Sequence, residues 1–308
     1  MRVQKRQDKP FVKLALVAPS LVLLGCVAVV PFLAVVVVSF TDLTPTRGME
    51  TVQWAGLRNY ERLFSDTELH GALIRTFAFA LIAVFCQIGL GTGIGEYLFR
   101  AWRARQRWFG LIVLPMVLAP VVVGLVWRLL MQGEFGALSL TLKFFGLFRE
   151  VSITSSPTTA LIAVCLVDIW QWTPLVAVAY LAARSLVTPS QMEAARIDGA
   201  SESQVWAGVV LPLVTPTLLA CAILRLLEAV REFDKVYVLT SGGPGSATEL
   251  LSLYIWRVAF RAWDFGYGAA LCVLFYFVVF AMTSVLLWAL RDVLPILLRS
   301  GERGKSLT

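Results

Sequence analysis

Asp168, Gln171 and Trp172 stand together in one apolar stretch of this chain, and Arg225, Glu228, Arg231 and Glu232 stand near the end of another. An ionisable group in such surroundings either finds a partner or marks a polar path, because burying it alone is expensive. Arg225, Glu228 and Glu232 follow at i, i+3 and i+7, which on one helix is a single face. Their neighbours Leu226, Leu227 and Val230 are apolar, so this face is polar against an apolar background. Carboxylates and a guanidinium hydrogen-bond vicinal hydroxyls, and an indole packs against the apolar side of a sugar ring. The set therefore suits a polyhydroxylated solute, while Arg225 could equally accept a phosphate or sulfonate group. A purely structural use of the same residues is an Arg225–Glu228 pair that closes a helix contact, with Arg231 and Glu232 reaching the interface. Gln87 and Glu96 are weaker candidates, and Glu96 lies near the end of its apolar stretch, where it can snorkel.

Other chemistries find no support. The single histidine, His70, lies outside the apolar stretches, so there is no metalloprotease or triad arrangement and no metal site to propose. Cys26, Cys86, Cys165, Cys221 and Cys272 all fall inside apolar stretches without a C-x-x-C pair, and read as small buried residues. Gly304-Lys305-Ser306 looks like the end of a phosphate-binding loop, but Arg299 stands where that loop needs glycine. If ATP drives anything here, another chain hydrolyses it.

A second polar feature is the run 188–212, lying between two apolar stretches. Thr188 caps a first short helix, Pro189 suits its first position, and Gln191 completes a Thr-x-x-Gln capping box. Gly199 follows Glu193-Ala194-Ala195-Arg196, where a left-handed residue ends a helix. Ser201 and Gln204 form a second box, so the run spells two short helices before the next apolar stretch begins at Pro212.

The elements that position these residues follow from composition. The chain is 58% hydrophobic and 15% charged, against about 45–50% and 25% in a soluble domain. A spanning helix needs about 20 apolar residues, and six stretches qualify: 14–40, 72–99, 110–131, 158–184, 211–231 and 266–290. The fold class is an all-α integral membrane protein with six transmembrane helices. The basic head before the first stretch resembles a signal peptide, but the apolar run is too long and lacks a cleavage site. The net charge of +7 is spread between the apolar stretches, which fits a membrane surface and not nucleic acid. Lys and Arg crowd the N-terminal head, residues 100–107 and the C-terminal tail, which places both termini and the 188–212 loop in the cytoplasm. The expected organisation is a basic tail (1–13), a six-span domain (14–290) and a polar tail (291–308). Outside, Trp54-Ala55-Gly56-Leu57-Arg58-Asn59-Tyr60 suggests interfacial anchoring, and Thr240 to Gly245 a tight turn.

The order Glu193-Ala194-Ala195, three residues, Gly199, nine residues, then Val209-x-Leu211-Pro212 resembles the cytoplasmic coupling loop of the membrane subunits of binding-protein-dependent ABC importers. Val209 stands where that family has Ile. Phe233 through Pro244 and Asp264-Phe265-Gly266-Tyr267 resemble the sugar and polyol branch, of the maltose-type first permease subunit. The resemblance covers essentially the whole chain. It implies a helical coupling loop in which Glu193, Ala194, Ala195, Asp198 and Gly199 engage an ATPase. It implies two nucleotide-binding subunits carrying ATP and Mg, a second permease subunit and an extracytoplasmic solute-binding protein in a bacterial or archaeal inner membrane. No cofactor is implied in this chain. It also places Asp168, Gln171, Trp172, Arg225, Glu228 and Glu232 near family positions that contact solute, although the family has neutral amides at several of them. The rivals are an ion-coupled secondary transporter using Asp168 or Glu228, an importer of a phosphorylated or sulfonated sugar, and a membrane-embedded enzyme.

Overall fold

The computed structural model describes residues 10–45, 52–146 and 152–290. The head before residue 10, Arg47, Glu50, Arg149 and the tail after residue 290 lie outside the described residues. Thirteen α-helices are found among the described residues: α1 (Pro10–Ser39), α2 (Arg58–Ser65), α3 (Thr67–Arg100), α4 (Trp102–Val117), α5 (Pro120–Leu130), α6 (Ala137–Phe144), α7 (Pro157–Arg184), α8 (Pro189–Ile197), α9 (Glu202–Val205), α10 (Leu211–Val230), α11 (Asp234–Leu239), α12 (Leu251–Trp256) and α13 (Phe265–Leu290). Five helices are long and apolar enough to cross a membrane, and α4 with α5 makes a sixth when counted as one span. Among the described residues, β-structure is confined to one bridge between Thr41 and Trp54. The chain divides into two compact units, residues 1–66 with 255–276 and residues 67–254 with 277–308.

In the first unit, the Asp264-Phe265-Gly266-Tyr267 motif has a physical explanation. Asp264 caps α13 by accepting the Tyr267 N–H at 3.1 Å, and it pairs with Arg62 at 2.8 Å. The Gly266 N–H donates to the Leu43 carbonyl at 3.1 Å, and a Cβ there would sit 2.2 Å from the Thr41 oxygen, so only glycine fits. Tyr267 is buried under Arg62 and donates to Asp66 at 2.5 Å. Trp54 stacks on Phe40, and the Asn59 amide donates to the carbonyls of Ser39 and Thr41.

In the second unit, α7 is the most enclosed spanning helix, with 61% of its apolar window buried. Helices α3 and α7 meet through Gly91 and Gly95, where added Cβ atoms would lie 2.5 Å from Val176 and 2.7 Å from Tyr180. Small residues four apart allow backbones in a membrane to approach closely enough to gain dispersion contacts. Val176 and Tyr180 of α7 then form a shared core with Val214, Leu218 and Cys221 of α10 and with Val210 just before it. The outward faces carry exposed Leu81, Phe85, Leu90 and Leu166, as a lipid-facing surface requires.

Two expectations change. The stretch 110–131 is not one straight helix: α4 and α5 meet at 101°. Leu118 and Ala119 are extended, at ψ 139° and 137°. Pro120 forces this twice, by excluding Ala119 from the helical region and by lacking the N–H that would continue the ladder. The second short helix of the polar run is not separate either, because Glu202–Val230 is one continuous helix. It passes through a wide turn at Trp206–Val210, where the Leu211 N–H reaches the Trp206 carbonyl. Pro212 has no N–H to offer one turn back, and the extra residue absorbs that gap.

Candidate functional site

The polar residues of α7 and α10 meet in one cluster inside the second unit. Asp168 is fully buried on α7 and accepts from three side chains: Lys235 Nζ at 2.6 Å, Arg225 Nη2 at 3.1 Å and Gln87 Nε2 at 2.8 Å. Arg225, on α10, also donates to Glu228 at 2.8 Å and to Gln87 at 3.1 Å, and lies 4.6 Å over the Trp172 ring. Lys235 opens α11 and donates to Gln171 at 3.1 Å, besides pairing with Glu232 at 2.8 Å. Gln171 turns its amide to the Leu118 carbonyl at 3.0 Å, an acceptor left free by the break between α4 and α5. Non-helical backbone at membrane depth survives only where protein or water satisfies it, and Gln171 does so here.

All six residues named for the solute path thus lie in this cluster. Their exposure differs sharply. Asp168 and Gln171 are fully enclosed, Arg225 is 1% exposed, Trp172 is half-buried, and the side chain of Glu228 is 49% exposed. Glu232 departs from the one-face expectation, because α10 ends at Val230. Its carboxylate sits in the turn and binds Lys235 rather than Arg225. Lys235 lies beyond the apolar stretch that ends at residue 231. It belongs to the cluster because α11 folds back against α7, and its sequence signal was the three-residue spacing from Glu232.

The polar run forms a hairpin. Gly199 has φ +86°, the Gly199 N–H reaches the Arg196 carbonyl and the Ala200 N–H reaches the Ala195 carbonyl, each at 3.0 Å. That is the left-handed helix stop expected from the sequence. Both capping boxes place their glutamines: Gln191 Oε1 accepts from Thr188 N–H at 3.4 Å, and Gln204 Oε1 from Ser201 N–H at 2.8 Å. Arg196 grips Glu202 with two hydrogen bonds across the turn, at 2.7 and 3.2 Å. That grip holds the Arg196 guanidinium above its ordinary pKa, first through the hydrogen bond and then through the carboxylate's charge. Glu193, Ala194, Asp198 and Gly199 are exposed, while Ala195 is half-buried.

The hairpin's root is a network that hydropathy alone does not show. Glu96 does not snorkel freely: Tyr180 donates to it at 2.7 Å, Arg184 at 3.2 Å and Arg100 at 2.7 Å. Trp206 donates to Tyr180 at 3.0 Å, and Arg184 reaches the Met192 sulfur at 3.2 Å. Glu96, Arg100, Arg184, Met192 and Trp206 line a cavity of ≈ 330 Å³ that also reaches Arg196 and Glu202 of the hairpin.

The sequence pattern of the "Binding-protein-dependent transport system inner membrane component" family matches residues 87–294. This chain belongs to that family. The matched region of this inner membrane component begins at Gln87 and contains every member of the charge cluster and the hairpin. The chain is 31% identical over 234 residues to the trehalose/maltose transport system permease protein MalF of Thermococcus litoralis, covering 76% of this chain and 79% of that protein. It is 30% identical over 280 residues to the sulfoquinovosyl glycerol transport system permease protein SmoG of Agrobacterium fabrum, covering 90% and 89%. Its fold matches a chain of a bacterial alginate ABC transporter crystallised with its alginate-bound periplasmic protein, with TM-score 0.76 at 18% identity over 95% of this chain and 98% of the other.

Proposed function

We propose that this chain is the membrane-spanning subunit of an ATP-driven importer that moves a sugar or polyol delivered by an extracytoplasmic binding protein. A second permease subunit and two nucleotide-binding subunits, which hold ATP and Mg, complete the assembly. The chain changes conformation and performs no chemistry of its own. Relatives whose names specify trehalose, maltose and a sulfoquinovosyl glycerol support the carbohydrate class. Family membership favours ATP over an ion gradient as the driving force.

The observation that carries the reading is the hairpin. Ile197 is 86% exposed on a short, doubly capped helix beside the exposed Glu193 and Asp198. An apolar side chain so uncovered in a polar element is a contact residue, and Arg196–Glu202 and Gly199 keep the helix stiff enough to act as a lever. Glu193 is the ionic contact to the ATPase and Gly199 permits the sharp turn.

In the importer purified from native membranes, Glu193→Ala and Gly199→Val should leave the subunits inserted while solute-stimulated ATP hydrolysis falls severalfold. The valine meets a left-handed backbone at a cost of about 1–2 kcal/mol. Full solute-stimulated hydrolysis in both variants would refute the coupling role.

A further inference from the structure

Both arms of the hairpin lead to one oxygen atom. The second arm runs on as the continuous helix Glu202–Val230. Its Trp206 Nε1–H donates to the Tyr180 hydroxyl at 3.0 Å, which donates in turn to Glu96 Oε2 at 2.7 Å. The first arm, α8, has no buried residue, and its Met192 sulfur accepts from Arg184 Nη2 at 3.2 Å. Arg184 Nε then donates to the same Glu96 Oε2, also at 3.2 Å. Tyr180 and Arg184 belong to α7 and Glu96 to α3. One carboxylate thus joins both arms to two spans within the second unit.

The two links differ in stiffness. Trp206, Tyr180 and Glu96 form a chain of directional hydrogen bonds, and the charged acceptor at its end strengthens the last of them. Tyr180 is fully buried, and the side chains of Glu96 and Arg184 are 13% and 6% exposed, so water screens their ion pair weakly. A thioether, by contrast, is a weak acceptor on a flexible stem. Arg184 Nη1 has no hydrogen-bond partner, and the Phe99 ring lies 4.0 Å from the guanidinium carbon. Arg100, the third partner of Glu96, is 55% exposed in its side chain and pairs within α3. The cavity beside these residues leaves α8 room to shift.

We infer that Glu96 is a positioning residue for coupling, an inference that rests on the hairpin's role as the lever on the ATPase. Through Tyr180 and Trp206 it fixes the second arm to α3 and α7, so a displacement of the hairpin carries the adjoining ends of both spans with it. These are the helices that bear Gln87 and Asp168. Meanwhile α8 tilts on its compliant methionine contact. Glutamine at position 96 keeps an acceptor for Tyr180 but leaves Arg184 without its counter-charge.

Hydrogen–deuterium exchange of the assembled importer, purified from native membranes, is compared with and without Mg and a non-hydrolysable ATP analogue, so no solute is required. In the unmodified complex the nucleotide should alter exchange in the hairpin, 188–206, and at the adjoining ends of α3 and α7. Glu96→Gln and Trp206→Phe should keep the hairpin response and reduce that of α3 and α7 severalfold. Combining them should reduce it no further than Glu96→Gln alone, since both break one chain of contacts. Arg100→Gln should leave it unchanged. A purely structural role would raise exchange equally with and without nucleotide and leave the difference intact. Trp206→Phe alters no ion pair and decides the matter if Glu96→Gln does not assemble. An undiminished α3–α7 response in Trp206→Phe, an equal loss in Arg100→Gln, effects that simply add, or an unmodified complex whose hairpin responds without α3 and α7 would each overturn the inference. A hairpin indifferent to nucleotide in the unmodified complex would instead remove the importer reading, and the inference with it.

Discussion

Asp168 and Glu228 look alike in the sequence, two carboxylates in apolar stretches, yet the structure gives them unequal work. Asp168 holds two buried cations and an amide, so Asp168→Ala leaves Arg225 and Lys235 under-compensated and should cost about 3–5 kcal/mol. Glu228 is half in solvent, and Glu228→Gln should cost about 1 kcal/mol or less. Thermal unfolding of the detergent-solubilised chain should therefore separate the two variants clearly, and equal losses would mean that Asp168 is not the hub. Residue types alone pointed to Asp168, Gln171, Trp172, Arg225 and Glu228, because a charge in an apolar run is conspicuous. Lys235 escaped that criterion, since hydropathy assigned everything after Arg231 to an outer loop. Arg184 escaped because a cation at the end of a span normally reads as an interface anchor.

Helix ends and helix contacts were legible to different degrees. Caps are written in short local patterns, and Thr188, Gln191, Gly199, Ser201 and Gln204 fall where those patterns require. Contacts between distant segments leave no such trace: nothing local says that Gly91 and Gly95 face Val176 and Tyr180. The bend between α4 and α5 sits between these cases, for Pro120 announces a break while hydropathy over 110–131 reads through it. The close helix crossing yields its own expectation. Gly95→Leu forces a side chain into Tyr180 and the Ala177 carbonyl, at 2.7 and 2.9 Å from the first added atom. It should destabilise the α3–α7 pair by about 1–3 kcal/mol. The same change at Gly93, where an added Cβ meets nothing within 4 Å, should be tolerated. Comparable yields of folded protein for the two would show that the crossing is loose.

At the scale of the whole molecule, we propose from the distribution of Lys and Arg that both termini and the hairpin face the cytoplasm. Single cysteines at Arg2, Glu193 and Lys305 in a cysteine-free chain should resist a membrane-impermeant thiol reagent applied to intact cells and react after permeabilisation. Reaction from outside at Glu193 would invert the topology and remove the hairpin from any ATPase. The charge cluster also has a consequence in time. A ribosome makes Gln87 first and Asp168 next, then Arg225 57 residues later and Lys235 67 residues later. During that interval the fourth span holds a lone acid whose only available cluster partner is the Gln87 amide. Inserting such a helix costs about 2.5–3.5 kcal/mol for the acid alone, and the two cations that repay it have not yet been synthesised. The nascent chain thus carries that cost from its fourth span until Arg225 and Lys235 follow.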